Sequence, residues 1–282
     1  MTYFLNARAG RRLFAASVTL FPLWAQAQLD VRGLPLWEVG AFAGSLTTPA
    51  YPASAERFER HLVLPYFVYR GEMLRVDRDG VDARLRLAPG YELDVGLSGS
   101  FPATSKDIAV RQGMPDLGTL VEFGPRLKVH LGVPGPGFRL WMDLPLRSVI
   151  EFNGGTRSQG MVFEPTVVLE GADIGAGWSL SAKAGLTWGD QRVNQYFYGV
   201  PSVYATGLRP AYEAQAGWIN ARASLGTSKN LSVDLRVFGY ARMDYYGLGA
   251  NTASPLALQS SSPTVGVGLT WTLGRSDALV SP

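Results

Sequence analysis

The two histidines, His61 and His130, are the side chains of this chain best suited to general acid–base catalysis. A hydrolase or acyltransferase would need one of them beside a nucleophile and an orienting group. No G-x-S-x-G motif marks a nucleophilic serine, no cysteine occurs, and no H-x-x-E-H or D-x-D-x-D spacing indicates a metal site. The sequence therefore predicts a protein that is not an enzyme and that holds neither a cofactor nor a metal.

Acidic and basic side chains recur at alternate positions, and they suit a different chemistry, the pairing of charges between neighbouring strands. The candidate members are Asp82, Arg84, Arg86, Glu92, Asp94, Glu122, Arg126, Lys128, Asp143 and Arg147. Because successive side chains of a strand point to opposite faces, such residues share one face. We interpret them as a network that fills a narrow interior; a selective pore lining is the alternative.

The elements that carry these charges are β-strands. In VDARLRLAPGYELDVGLSGSF, residues 81–101, apolar and polar side chains alternate in both arms of a hairpin. Twelve segments of the chain alternate in this way, with a bulge expected near Gly217. They are 36–46, 61–69, 72–76, 81–87, 91–101, 117–131, 138–150, 161–170, 178–188, 211–225, 231–242 and 264–273.

The connections between these segments differ in length according to the edge of the sheet on which they lie. Long ones such as PATSKDIAVRQGMPD and FNGGTRSQG fall on one edge, and short ones such as GVPGPG and TSKN fall on the other. Outer-membrane barrels have long extracellular loops, short periplasmic turns and an even number of strands. The pattern predicts an all-β fold, a transmembrane antiparallel up-and-down β-barrel of twelve strands, with ten as the alternative. Its apolar face would meet outer-membrane lipid and its charged face the interior.

The N-terminus reads as a secretory signal peptide, with Arg8, Arg11 and Arg12 before an apolar run and Ala25-Gln26-Ala27 as the cleavage site. We predict a signal peptide over 1–27, cleaved after Ala27, and a single barrel domain over 28–282. Three of the 26 basic residues lie in the signal, which leaves 23 against 23 acidic residues. This balance gives no indication of nucleic-acid binding. The predicted location is the outer membrane of a Gram-negative bacterium.

Four blocks occur in order along the chain: LPYFVYRG (64–71), RQGMPDLGTLVEFGPRL (111–127), YFYGVPSVYATGLRPAY (196–212) and DYYGLGANTASPL (244–256). In these blocks the chain resembles the MipA/OmpV family, outer-membrane proteins named for an interaction with the murein transglycosylase MltA. The resemblance implies a non-enzymatic scaffold that anchors a murein transglycosylase, and with it a peptidoglycan synthase, at the outer membrane. The alternative is a small-solute channel or a surface-exposed binding or adhesion protein.

A periplasmic partner of such a barrel would contact its short turns, for which Gly135 and Lys229 are the candidate positions. Stable protein interfaces bury about 800 Å² on each partner. The short turns would need the chain termini, or the rim of the barrel, to reach that area.

Overall fold

The structure, a computed structural model, describes residues 34–70, 74–77, 80–83 and 85–280. Almost all of its regular elements are strands, joined in one large antiparallel sheet and one two-stranded ribbon. The prediction of an all-β antiparallel fold is confirmed. The predicted signal peptide lies outside the described residues. In the described part of the chain, no helix is long and apolar enough to cross a membrane.

The strands and the one α-helix follow one another along the chain, with short 3-10 turns at 105–107, 109–111 and 202–204. The elements are β1 (Leu34–Pro35), β2 (Trp37–Pro49), β3 (Arg57–Arg70), β4 (Leu74–Asp77), β5 (Gly80–Ala83), β6 (Leu85–Ala88), β7 (Tyr91–Ser100), β8 (Thr119–Gly132), β9 (Phe138–Phe152), β10 (Thr156–Phe163), β11 (Thr166–Gly171), β12 (Trp178–Gly189), α1 (Gln191–Tyr198), β13 (Gly217–Asn230), β14 (Leu235–Tyr245), β15 (Ser261–Arg275) and β16 (Leu279–Val280).

Neighbouring strands of the large sheet are mostly neighbours in the chain, in the order β5-β4-β3-β2-β15-β14-β13-β12-β10-β9-β8-β7-β6. Strand β11 continues β10 between the same two neighbours, β9 and β12. Strands β5 and β6, at the two ends of this order, follow each other in the chain, and β5 also lies beside β7. Closure into a barrel and the number of crossing strands remain predictions. Strands β1 and β16 form the separate ribbon, in which Leu34 pairs with Val280.

Several predicted boundaries were wrong. Strand β13 begins at Gly217 rather than at residue 211, and β14 begins at Leu235 rather than at 231. The predicted strand 161–170 is interrupted at Glu164 and Pro165, because proline has no N–H to donate to a ladder. The stretch FNGGTRSQG is largely strand, and only 153–155 form its turn. The predicted bulge is confirmed: the register between β12 and β13 shifts so that Ile219 has no partner.

Apolar side chains alternate with polar ones on the two faces of the sheet, as the sequence predicted. On β15, Val267, Trp271 and Leu273 lie on the outer face and are 64%, 56% and 63% exposed. Their neighbours Thr264 and Thr270 are 2% exposed on the inner face. The outer face therefore presents an apolar surface that the described chain does not cover, whereas these side chains of the inner face are buried.

The long connections share one edge of the sheet, which we call the long-connection edge, and the turns 133–137, 172–177 and 231–234 share the other, the short-turn edge. No helix was predicted, yet α1 lies in the connection 190–216. Asp190 caps this helix by accepting a hydrogen bond from the backbone N–H of Val193 at 3.0 Å. Asp190 also packs against Gly160, where the φ of +106° and the closeness of its carboxylate leave no room for a Cβ atom.

Candidate functional site

The long connections pack on one another and form what we call the cap, residues 50–56, 101–118, 190–216 and 246–260. Its core holds Ile108 and Leu256, both 0% exposed, together with Tyr51 and Val200. The Tyr51 hydroxyl donates to the carbonyl of Leu256 at 2.7 Å, which joins the first and last of these connections. The cap is therefore a packed layer rather than a set of independent loops.

Polar contacts fasten the cap to the strand ends below it. Glu151, near the end of β9, accepts hydrogen bonds from the Gly118 N–H at 3.1 Å and from the Tyr196 hydroxyl at 3.0 Å. Burial first, and then the charge of Glu151, raise the pKa of Tyr196 well above its usual value. Burial, followed by the charge of Asp244, raises the pKa of Tyr246 to about 12. Both phenols are therefore neutral at physiological pH.

Beneath the cap the inner face lines a cavity of about 230 Å³. Strands β2, β3, β7, β8, β9 and β13 to β15 all contribute to its lining, so the sheet curves around it. The lining reaches from Glu164 in the interior to Ala50 and Pro52 in the cap. The cavity thus connects the charged interior with the long-connection edge.

Ion pairs run through the wall of this cavity from β8 to β14. Arg147 pairs with Glu122 at 3.0 Å and also with Glu164. Arg222 joins Glu164 and Asp244, each at 2.6 Å, and Asp244 also pairs with Arg242 at 2.8 Å. Carboxylates and guanidinium groups alternate along this series, with Glu164 and Asp244 each between two arginines, and the alternation offsets the cost of taking the charges out of water. We call these six residues the cavity-wall network.

A second group of charges lies nearer the short-turn edge. Both oxygens of Asp94 accept hydrogen bonds from the Arg126 guanidinium, at 2.7 and 2.9 Å, and Lys128 lies 3.1 Å from the same carboxylate. Lys128 stands in register between Glu92 on β7 and Asp143 on β9. We call Asp94, Arg126 and Lys128 the Asp94 cluster.

The predicted charged residues thus separate into two groups. Glu122 and Arg147 belong to the cavity-wall network, whereas Glu92 and Asp143 adjoin the Asp94 cluster. Arg84 lies outside the described residues, as do the side chains of Asp82 and Arg86. The sequence prediction missed Glu164, Arg222, Arg242 and Asp244, although the inward parity of their strands is a signal that could have found them.

The remaining candidates lie on the surface. Gly135 is in the turn 133–137, as predicted. Lys229 lies within β13 rather than in a turn, and its ammonium group is 5.5 Å from the centre of the Trp178 ring. His61 and His130 are exposed on different strands, and His61 lies 3.8 Å from Glu59. In the described part of the chain, no three acidic or histidine side chains cluster in a way that could hold a metal ion.

The sequence matches the model of one family, described as MltA-interacting protein MipA, over residues 39–273. No functionally curated protein matches the chain significantly.

Among solved structures, an outer membrane channel from Pseudomonas putida F1 is 11% identical with a TM-score of 0.46, over 88% of this chain and 99% of that one. The NanC porin is 10% identical with a TM-score of 0.38, over 83% and 100% of the two chains. Outer membrane phospholipase A from Escherichia coli is 11% identical with a TM-score of 0.33, over 85% and 94%. Similarities this distant assign no activity to this chain.

Proposed function

Because this chain belongs to the family of MltA-interacting proteins, we propose that it is an outer-membrane β-barrel that serves as a scaffold for murein enzymes. Its periplasmic partner would be a murein transglycosylase, joined by a peptidoglycan synthase. The proposal includes export by a signal peptide cleaved after Ala27 and no catalytic role for the barrel itself.

The apolar outer face supports a position in the membrane. Val63, Val267 and Leu273 are each more than 60% exposed at alternate positions of long strands. Soluble monomers rarely expose a continuous apolar surface of more than a few hundred Å². In a bilayer the same side chains would face lipid, and a closed sheet would satisfy every backbone hydrogen bond there.

The packed cap is the observation that favours a scaffold function over a channel function. Tyr51, Ile108 and Leu256 are nearly or wholly buried against one another at the long-connection edge. Below them the cavity-wall network holds its charges in pairs. An open solute pathway would have to displace both, so we expect the unliganded protein to conduct no ions.

The short-turn edge offers the surface for a partner. Val133, Ile174 and Val233 lie in three of its turns and are 66%, 44% and 82% exposed. The β1–β16 ribbon adds Leu279, which is 53% exposed. Together the turns and the ribbon supply more apolar area than the turns alone, and a stable interface needs roughly 800 Å² on each side.

Site-specific photocrosslinking in intact cells tests this proposal. The probe residue is placed at Val233 or Gly135 on the short-turn edge and, as the control, at Leu208, which is 97% exposed on the cap. We expect adducts with a murein transglycosylase from the first two positions and none from Leu208. Adducts with only the barrel-assembly machinery, or the same adducts from Leu208, would overturn the scaffold role.

Single-channel recording in planar bilayers separates the scaffold from the channel. We expect no conductance steps from the wild-type protein. Steps whose ion selectivity changes in Arg147→Gln, a substitution in the cavity-wall network, would favour a channel instead.

A further inference from the structure

The lining of the cavity carries an excess positive charge. Its described charged residues are the six of the cavity-wall network, which hold three guanidinium groups and three carboxylates, and in addition Arg60. Among the described residues, no carboxylate forms an ion pair with Arg60. The cavity wall is therefore balanced except at this one arginine on β3.

Contacts with aromatic rings and a carbonyl hold the Arg60 guanidinium in place. Its central carbon lies 4.4 Å from the centre of the Phe101 ring and 5.6 Å from that of Phe58. One terminal nitrogen donates to the carbonyl of Pro102 at 2.9 Å. A guanidinium presents five N–H donors in a rigid fork, so this arrangement orients the group and uses only part of its capacity.

Buried polar atoms without partners cluster at the same cavity. Arg60 Nε, Thr187 Oγ1 and Asn220 Oδ1 are buried without a hydrogen-bond partner in the described part of the chain, and all three residues line the cavity. Most buried polar atoms in proteins are paired, and an unpaired one is costly. The wall therefore offers both a cation and unused hydrogen-bonding groups to a bound molecule.

Apolar side chains also line the cavity, with Leu46, Leu120 and Val149 on the inner face and Phe197 in the cap. A cavity of about 150 Å³ takes a benzene molecule of six carbon atoms, so 230 Å³ suits roughly nine non-hydrogen atoms. We propose that this cavity binds an amphipathic organic monoanion of about that size, with its anionic group on Arg60 and its apolar body against these side chains. Such a site is independent of the scaffold role and adds a small-molecule ligand to it.

Isothermal titration of the purified full-length protein in a nonionic detergent tests the site with two isosteric probes, benzoate and neutral benzamide. We expect benzoate to bind wild type at least about tenfold more tightly than benzamide, since hydrogen bonds to charged groups are stronger than neutral ones. Arg60→Gln should remove this preference. Arg57→Gln, on the same strand but exposed, is the matched control and should keep it.

A second variant fills the cavity and leaves the arginine intact. Ser98, on the β7 side of the lining, is replaced by Phe, and benzoate affinity should again fall at least about tenfold. Heat-modifiable migration in gels checks that each variant folds, so that Ser98→Phe decides the matter if Arg60→Gln does not fold. No benzoate binding to wild type, equal binding of both probes, or full affinity in Ser98→Phe would overturn the site.

Discussion

Replacement of Asp94 by Asn should lower the free energy of unfolding by about 3 kcal/mol, the lower end of the ~3–5 kcal/mol that follows from breaking a buried ion pair. The Asp94 side chain is 0% exposed, and its two oxygens bind Arg126 at 2.7 and 2.9 Å. Asparagine keeps the shape and one acceptor, but it leaves Arg126 and Lys128 with less negative charge. The side chains of these two cations are 11% and 20% exposed, so water compensates them only in part.

Urea unfolding in lipid vesicles, followed by tryptophan fluorescence, measures this loss. A change of ~3 kcal/mol lowers the folding equilibrium constant by roughly a hundredfold and should move the midpoint clearly. Glu59→Gln is the matched control, because Glu59 is an exposed carboxylate 3.8 Å from His61. Exposed pairs contribute ~0–1 kcal/mol, so its midpoint should stay close to that of wild type.

A double variant tests whether the loss comes from the unpaired cation. In the Asp94→Asn background, Arg126→Gln should cost less than it does alone, because the charge that it removes has already lost its partner. If Asp94→Asn unfolded within ~0.5 kcal/mol of wild type, the range of ordinary surface substitutions, the Asp94 cluster would not be a buried ion pair in solution, and the reasoning would be refuted.

Two further predictions concern the cap. Because the pKa of Tyr246 is about 12 in the folded protein and near 10 in the unfolded chain, its contribution to stability is complete below pH ~10 and is lost as the pH rises toward 12. Titration of tyrosinate absorbance should show one phenol fewer near pH 12 in Tyr246→Phe, and an unchanged curve would contradict the assignment. The Arg209 guanidinium donates to the carbonyls of Tyr204, Val110 and Gln112 at 2.6 to 3.1 Å. Arg209→Ala should therefore speed chymotrypsin cleavage after Tyr204 at least about tenfold, whereas Arg192→Ala, exposed in the same connection, should not; equal rates would refute this role.

The faces of the strands could be predicted from sequence because a period of two is a local property. The alternation alone puts Asp94, Arg126 and Lys128 on the inner face, and the three side chains do meet there. Their partners could not be predicted, since pairing depends on register and on the reach of long side chains. Glu122, for example, stands in register with Val149 but binds Arg147.

Two of the charged residues that the sequence prediction missed, Glu164 and Asp244, were missed for different reasons. Glu164 has inward parity within the predicted strand 161–170, but it lies beside Pro165 at the break between β10 and β11. Asp244 precedes a Tyr-Tyr-Gly run that reads as the start of a loop, yet β14 continues through Tyr245. For Asp244, a local signal of irregular structure therefore masked a position on the inner face.

The cap could not be predicted because its contacts join segments far apart in the chain. Tyr51 binds the carbonyl of Leu256, and the Asn251 side-chain amide donates to Asn194 at 2.9 Å. Helix α1 had a local signal in Asp190, a capping residue followed by Val193 and Phe197 at helical spacing. The helix is short and glycines lie near both of its ends, so its signal could not be distinguished from that of a turn.

The two edges of the sheet differ in what covers their apolar side chains, and this difference bears on where a partner binds. At the long-connection edge the cap buries its own apolar residues. A four-residue turn such as 231–234 is too short to bury its own apolar side chain, and Val233 is 82% exposed. On the outer face near the short-turn edge, Lys229 lies over Trp178. An aromatic and cationic pair of this kind is typical of the membrane interface. Because a strand rises about 3.3 Å per residue, the tip of the turn lies up to roughly 10 Å beyond the level of Lys229 and Trp178. In the proposed orientation the lipid tails therefore do not reach Val233, which is accessible to a periplasmic protein.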